Sequence, residues 1–234
     1  MIFLPNVTLL AVTSVNLQQT VNALLISSER IEFGAIKLLS SVCVDDLPKK
    51  IQHVEIPSMD IFGYSKFMIE KLHEFVDTDY CLVVQPDGFV INPKMWDAQY
   101  LAYDYIGAPW PALLHSSVGD LAMKNRVGNG GFSLRSKRFL NATASLNFDE
   151  IVTPIKSEDM LACHYFYDHM VENGVVFAPL EVAEKFSMEA RLEEGKTLTS
   201  VFGFHGKSWL KLEHLGWFQE KTELKAELSS LISM

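Results

Sequence analysis

Tyr80-Cys81-Leu82-Val83-Val84-Gln85-Pro86-Asp87-Gly88 is the stretch that decides the fold. Residues 80–84 form the most hydrophobic strand pattern of the chain and show no polar alternation. That is the signature of a strand covered on both faces. The run stops at a Pro-Asp-Gly turn signal. Upstream, residues 7–12 make a second continuous apolar run. Asn16 then precedes a helix pattern with Leu17, Val21, Leu24 and Leu25 on one face. Residues 35–39 and 53–56 read as further short strands, and Pro57 closes the second. Residues 65–76 read as an amphipathic helix carrying Phe67, Met68, Leu72, Phe75 and Val76. Strands alternating with helices require crossover connections, so the chain is expected to be α/β with a mainly parallel, Rossmann-like central sheet flanked by helices.

Downstream the pattern is less regular. Residues 103–108 read as a strand leading into Pro109-Trp110-Pro111, and 112–126 as a loop over a site. Residues 127–134 are glycine-rich and turn into a short helix over 136–144. Ser157 is placed to cap a helix running to about residue 173, with Glu158 and Asp159 in its first turn. Residues 175–178 and 201–205 read as short strands, and 211–234 as a charged helical tail with Leu224, Leu228 and Leu231 on one stripe.

A chain of 234 residues with 48% apolar residues and 15 Phe has ample material for one packed core. Its net charge of −9 repels phosphate backbones and argues against a nucleic-acid partner. One nucleotide remains admissible if a metal or a few local cations neutralise its phosphates. Cys43, Cys81 and Cys163 form no CxxC pair and read as free thiols of a reducing compartment. The apolar N-terminus lacks a basic region, so it is read as a first strand and no signal peptide. No apolar run approaches the roughly 20 residues of a membrane-spanning helix. A cytoplasmic location is expected, that of the host cell for a viral protein.

Four segments carry candidate chemistry. Asp87 and Gly88 follow the apolar strand, at the strand end where α/β sheets bind ligands. An Asp there can hold a divalent metal, and Gly lets a ligand approach. The plain alternative is a turn. His205, within Phe202-Gly203-Phe204-His205-Gly206-Lys207, can ligate a metal through a neutral imidazole or can be structural. Val127-Gly128-Asn129-Gly130-Gly131-Phe132-Ser133 offers close backbone approach and free N–H groups, or simply a hairpin. It is neither a P-loop nor a dinucleotide fingerprint. Ser157-Glu158-Asp159 places two carboxylates at a helix start, as a general base for a hydroxyl nucleophile or as ordinary capping.

In order and spacing, these four elements resemble the GT-A glycosyltransferases. Those enzymes have an acidic metal motif after the fourth strand, a glycine-rich acceptor loop, an x-Glu-Asp motif opening a helix, and a late metal-binding His. The segments Tyr64-Ser65-Lys66-Phe67, Val84–Pro93 with Gln85-Pro86-Asp87-Gly88, Asp104-Tyr105-Ile106-Gly107-Ala108-Pro109-Trp110 and Val127–Ser133 resemble a family of unknown-function domains grouped with those enzymes, from bacteria and large viruses. The resemblance covers residues 5–207. Where the usual metal motif reads Asp-x-Asp, this chain reads Gln85-Pro86-Asp87, so the first anion is absent.

The resemblance implies a single GT-A domain over residues 1–234. Residues 1–110 form a nucleotide-sugar half, 111–210 an acceptor half and 211–234 the tail. It implies transfer of a sugar from a nucleotide diphosphate sugar, such as a UDP-sugar, to a hydroxyl on a glycan, lipid-linked or protein-linked acceptor. Mn²⁺ or Mg²⁺ would be held by Asp87 and His205. Asp159 would be the general base, with Glu158 orienting the acceptor or capping its own helix, and a single displacement would invert the anomeric centre. Thr13, Ser14, Ser40, Tyr64, Ser65, Lys66, Asp87, Gly88 and Lys207 are the expected donor contacts. Trp110, Gly128, Asn129, Gly130 and Gly131 are the expected acceptor wall. Two other classes stay open at this point. A nucleotidyltransferase would need a second metal-binding carboxylate near Asp87. A non-catalytic nucleotide-sugar or carbohydrate-binding module would need neither Asp159 nor a metal.

Overall fold

A computed structural model describes residues 1–44, 46–189 and 197–207; the expected helical tail lies outside them. Strand β1 (Ile2–Thr13) is buried on both faces from Val7 onward, as its unbroken apolar run requires. Its register against the next strand shifts between Leu4 and Thr8, where Pro5 interrupts the ladder. Helix α1 (Leu17–Ser27) returns the chain to β2 (Ile31–Ser40), and a short connection leads to β3 (Gln52–Glu55). Helix α2 (Ile61–Glu70) and a 3₁₀ turn (Leu72–Phe75) lead into β4 (Tyr80–Val83).

Two-residue β5 (Tyr105–Ile106) follows. Residues 113–122, expected as a loop, fold as a hairpin of β6 (Leu113–Ser116) and β7 (Gly119–Ala122). Its exposed and half-buried positions carry mixed polar and apolar residues, so no hydrophobic alternation announces the strands. Strand β8 (Ser133–Ser136) passes through the Ser136 cap into α3 (Lys137–Ala144), where Ser136 Oγ accepts the Phe139 N–H at 3.1 Å.

The central sheet has the order β3-β2-β1-β4-β8-β5. Pairs β1–β2, β2–β3 and β1–β4 are parallel, whereas β8 is antiparallel to both neighbours. The sheet is therefore mixed, and β8 is its reversed strand. After β5 the chain makes the hairpin and the glycine-rich segment without a crossover helix. It re-enters from the end it left, so it must run backward.

The helix expected after Ser157 is broken. Helix α4 (Glu158–Met160) gives way to a π turn (Leu161–Tyr165) and then α5 (Tyr167–Glu172). The Phe166 N–H reaches back to Leu161 O at 2.8 Å. Helix α6 (Leu180–Phe186), β9 (Ser187–Met188) and β10 (Gly203–Phe204) complete the described fold. A satellite core of Ala23, Ile26, Phe89, Ile91, Met188, Leu198, Val201 and Phe204 clamps β9 and β10 onto α1. Phe89 and Phe204 meet edge to face at 4.7 Å. Among the described residues, no helix is long and apolar enough to cross a membrane.

Candidate functional site

The site begins where β4 leaves the sheet. Gln85 N–H donates to Gly88 O at 2.8 Å and Gly88 N–H to Gln85 O at 3.0 Å, closing a tight turn with Pro86 and Asp87 at its tip. Gly206 N–H donates to Asp87 O at 2.8 Å, which pins the turn to the chain beyond β10. Because Phe204 is anchored in the satellite core, the next residue, His205, is delivered beside Asp87. His205 Nε2 lies 3.7 Å from Asp87 Oδ1 and 3.2 Å from Gln85 Oε1. On the other side of the ring, Nδ1 faces Asn129 Nδ2 at 2.9 Å and Glu189 Oε1 at 3.3 Å. Burial alone would lower the His205 pKa, but Glu189 and Asp87 outweigh it and raise it. Burial works to raise Glu189, yet hydrogen bonds from His205, Asn129 and Trp110 leave its carboxyl below the ordinary value.

The glycines do something other than the expected opening toward a ligand. A Cβ on Gly131 would stand 2.2 Å from His205 Nε2, and one on Gly88 would stand 2.8 Å from His205 Cδ2. A Cβ on Gly130 would meet Glu158 Oε1 at 1.7 Å, and one on Gly128 would meet the Trp110 ring at 2.2 Å. The close approach is to the protein's own side chains.

Asp159 and Glu158 part company. Asp159 is half-buried, with Oδ2 accepting the Gly130 N–H at 3.2 Å and Oδ1 the Met160 N–H at 2.7 Å. Glu158 turns inward, its carboxylate also accepting its own backbone N–H at the start of the helix. It is 6% exposed and takes Arg135 Nη2 at 3.0 Å. Burial, with Asp159 beside it, pushes the Glu158 carboxyl up despite Arg135. Arg135 also donates to Gly130 O at 3.1 Å and Ser133 Oγ at 3.0 Å. This buried network supports the glycine segment from beneath. Ser157 makes no side-chain cap bond.

A cavity of about 370 Å³ opens between the carboxyl ends of β1 and β4, lined by Thr13, Ser14, Asn16, Asp60, Tyr64, Asp87 and Lys207 among others. Neighbouring strands there connect in opposite directions, to α1 on one side and through α2 on the other, which is where open α/β sheets bind ligands. Val12, Val15, Met59, Ile61 and Pro86 give it apolar walls. Of the expected donor contacts, Thr13, Ser14, Tyr64, Asp87 and Lys207 are in its lining, and Ser40, Ser65, Lys66 and Gly88 are not. Ser40 Oγ is spent on Val42 O at 2.6 Å and His53 Nε2 at 2.9 Å. Ser65 is buried, and Lys66 pairs with Asp149 and Glu70. The cause is a misplaced helix start. Asp60 caps α2 by accepting the Gly63 N–H at 2.8 Å, so residues 64–66 fall in later turns and do not open the helix. Tyr64 N–H is already bound to Asp60 O at 2.8 Å; only its ring and hydroxyl serve the cavity, and the hydroxyl accepts Gln85 Nε2 at 2.9 Å.

Trp110 is 6% exposed, its ring against Gly128 and its indole N–H on Glu189. Its ring is packed into the protein, and Trp110 is not in the lining of the cavity between β1 and β4. Three participants escaped the sequence reading. Asp60 carries a cap signal that was available. Gln85 looked like the loss of an acid, and Glu189 had no motif. Among the described residues, no group of three or more His, Cys, Asp or Glu is arranged to hold a metal, so Asp87 and His205 stand as a pair.

Residues 50–205 match the family described as "Protein of unknown function (DUF5672)", which is more than half of the chain. The chain belongs to this family. The matched span contains Tyr64, Asp87, the glycine segment and Asp159, and it ends on His205. No curated protein matches the chain. A solved structure that matches is that of A197 from STIV, at 14% identity over 74% of this chain and 80% of that one, with a TM-score of 0.34.

Proposed function

We propose that this DUF5672 member is a GT-A-like glycosyltransferase. It would move a sugar from a nucleoside diphosphate to an acceptor hydroxyl with the help of Mn²⁺ or Mg²⁺. The observation that carries the reading is the Asp87–His205 pair, 3.7 Å apart beside a cavity between β1 and β4. Two ligand bonds of about 2.1 Å span about 3.0 Å at a right angle and about 4.2 Å in line, so a closing of the pair by under about 1 Å would bring both onto one shared ion. A carboxylate and an imidazole suit Mn²⁺ or Mg²⁺, and the remaining positions fall to diphosphate oxygens and water. With only two protein ligands, the ion is expected to bind weakly by itself and more tightly once the donor's phosphate oxygens join it. When bound, it would supply Lewis-acid stabilisation of the diphosphate leaving group.

The chain's own residues divide the remaining work. The apolar walls and Tyr64 enclose the nucleoside, with Thr13 and Ser14 hydroxyls at its polar edge. Lys207 supplies a positive charge for the phosphates in a cavity that also holds Asp60 and Asp87. Gly130 binds Asp159 through its N–H, and Gly131 packs on His205, so adjacent residues join base and ligand pair. Asp159 Oδ2 takes the proton of the acceptor hydroxyl as that oxygen attacks the anomeric carbon. One in-line displacement gives an inverted product. Residues 1–110 serve the donor, and Trp110 with the glycine segment faces the acceptor.

Donor hydrolysis with and without Mn²⁺ across a nucleotide-sugar panel is the first test. Asp87→Ala and His205→Ala are expected to abolish metal-dependent donor binding in calorimetry while leaving the fold intact. Asp159→Asn is expected to cut transfer at least about a hundredfold with donor affinity little changed. Near-native turnover of that variant, or a product of retained configuration by proton NMR, would overturn the assignment of the base.

A further inference from the structure

We propose that Glu189 is a positioning residue that ties the two walls of this site together through one carboxylate, holding His205 on one side and Trp110 on the other. The inference rests on the reading of His205 as a metal ligand. Glu189 follows β9 directly, and His205 N–H is bound to the preceding Met188 O at 3.0 Å, so the two side chains are set from one backbone contact. Its carboxylate receives hydrogen bonds from the Trp110 indole, from the Asn129 amide and from His205.

Asn129 shows that this arrangement is built. It is 2% exposed and holds a left-handed φ of 65°, a conformation that Asn tolerates better than most residues. Its Oδ1 accepts Gly131 N–H at 3.0 Å and Phe132 N–H at 3.3 Å, so Nδ2 is left to donate to Glu189 alongside the His205 ring. A carboxylate only accepts, so it takes the ring through an Nδ1–H. On the far side Nε2 faces Gln85 Oε1, which accepts because the Gln85 amide nitrogen is given to Tyr64, and an ion beside Asp87 would take the place of the Nε2 proton. The same carboxylate fixes the indole of Trp110, whose ring lies on Gly128. Movement of His205 is thereby felt at Trp110, which joins donor-side occupancy to the acceptor wall.

The test uses the full chain labelled with ¹⁵N in its His rings and Trp indoles, with resonances assigned by His205→Gln and Trp110→Phe. In the unsubstituted protein, His205 is expected to carry an Nδ1–H and the Trp110 indole proton to be hydrogen-bonded. Glu189→Gln should shift both signals, and Glu181→Gln, on the exposed face of α6, neither. Mg²⁺ alone should move both resonances in the unsubstituted protein. In Glu189→Gln, Mg²⁺ should no longer move Trp110, and the His205 response should need at least about tenfold more metal. Unchanged His205 and Trp110 signals in Glu189→Gln would overturn the proposal. If that variant is unfolded by circular dichroism, Glu189→Asp should weaken both bonds, and two unmoved signals there would overturn it equally. If Mg²⁺ moves neither resonance while Glu189→Gln still moves both, the metal reading fails and the hold on the two rings stands.

Discussion

Glu158→Ala is expected to unfold the protein far more than it disturbs any chemistry. Arg135 is 2% exposed and spends its guanidinium on Glu158 Oε1 at 3.0 Å, Gly130 O at 3.1 Å and Ser133 Oγ at 3.0 Å. Removing the carboxylate leaves a cation buried beneath the glycine segment with no counter-charge. Breaking a buried pair from one side costs about 3–5 kcal/mol. For a chain of this size, roughly 2–4 °C of melting temperature go with each kcal/mol, so a fall of about 6–20 °C is expected. Against a domain stability of about 5–15 kcal/mol, that is a third or more of the total in a typical case. Urea denaturation followed by far-ultraviolet circular dichroism measures it. The double variant Arg135→Met, Glu158→Leu removes both charges and should recover most of the loss, because apolar replacement of a whole buried pair is often neutral. Glu158→Gln keeps an acceptor for Arg135 and should fall between. A Glu158→Ala protein within about 1 kcal/mol of the parent would refute the structural role of the pair.

Gly131→Ala would place a methyl 2.2 Å from His205 Nε2, and the ring must move by more than an ångström to escape. Misplacement on that scale can cost about a hundredfold, so metal-dependent donor binding should be lost in calorimetry, with overpacking lowering stability by about 1–3 kcal/mol. Of the three thiols, exposed Cys43 alone should react with a thiol reagent in the native protein, all three reacting after denaturation. Burial pushes the Cys81 thiol up to about 12 and Cys163 well above its ordinary value, and mass spectrometry of the labelled chain locates the adduct. Lys37, buried beside Asp77 at 2.9 Å, depresses the Asp77 carboxyl below the ordinary 3.8. A depressed carboxyl stabilises the fold above its unfolded value and ceases to as pH falls through the folded one. The denaturation midpoints of the parent and Asp77→Asn should therefore differ at pH 7 and converge near pH 2.

The α/β class was legible because β1 and β4 are apolar on both faces and the helices between them are periodic. The reversal of β8 was not, since Ser133–Ser136 reads alike in either direction and its sense follows from where the preceding segment returns. The start of α2 was missed for a local reason. Asp60 announces the cap, but Ile61 and Phe62 are exposed apolar residues that spoil the amphipathic pattern of the first turn. Asp87 and His205 stood out because each lies at a strand end next to glycine. Glu158 and Asp159 read as one motif, yet adjacent helical positions point apart, one into the core and one to Gly130. Glu189 acquires its partners from Trp110, Asn129 and His205, and no local pattern encodes a contact among segments so far apart.

The bond between Gln85 and His205 joins residues 120 positions apart, and Gly206 ties back to the Asp87 carbonyl across a similar distance. Closing so long a loop carries an entropic cost that local contacts do not repay until the sheet between them exists. The Asp87–His205 pair should therefore be among the last features to form during folding and among the first to open under mild denaturant. Hydrogen exchange at the Gly206 and His205 amides would report that order, with the amides of β1 and β4 protected far longer. A chain interrupted before β10 could keep its central sheet and still have no site. In the cell, a formed Asp87–His205 pair would then report that synthesis had passed β10.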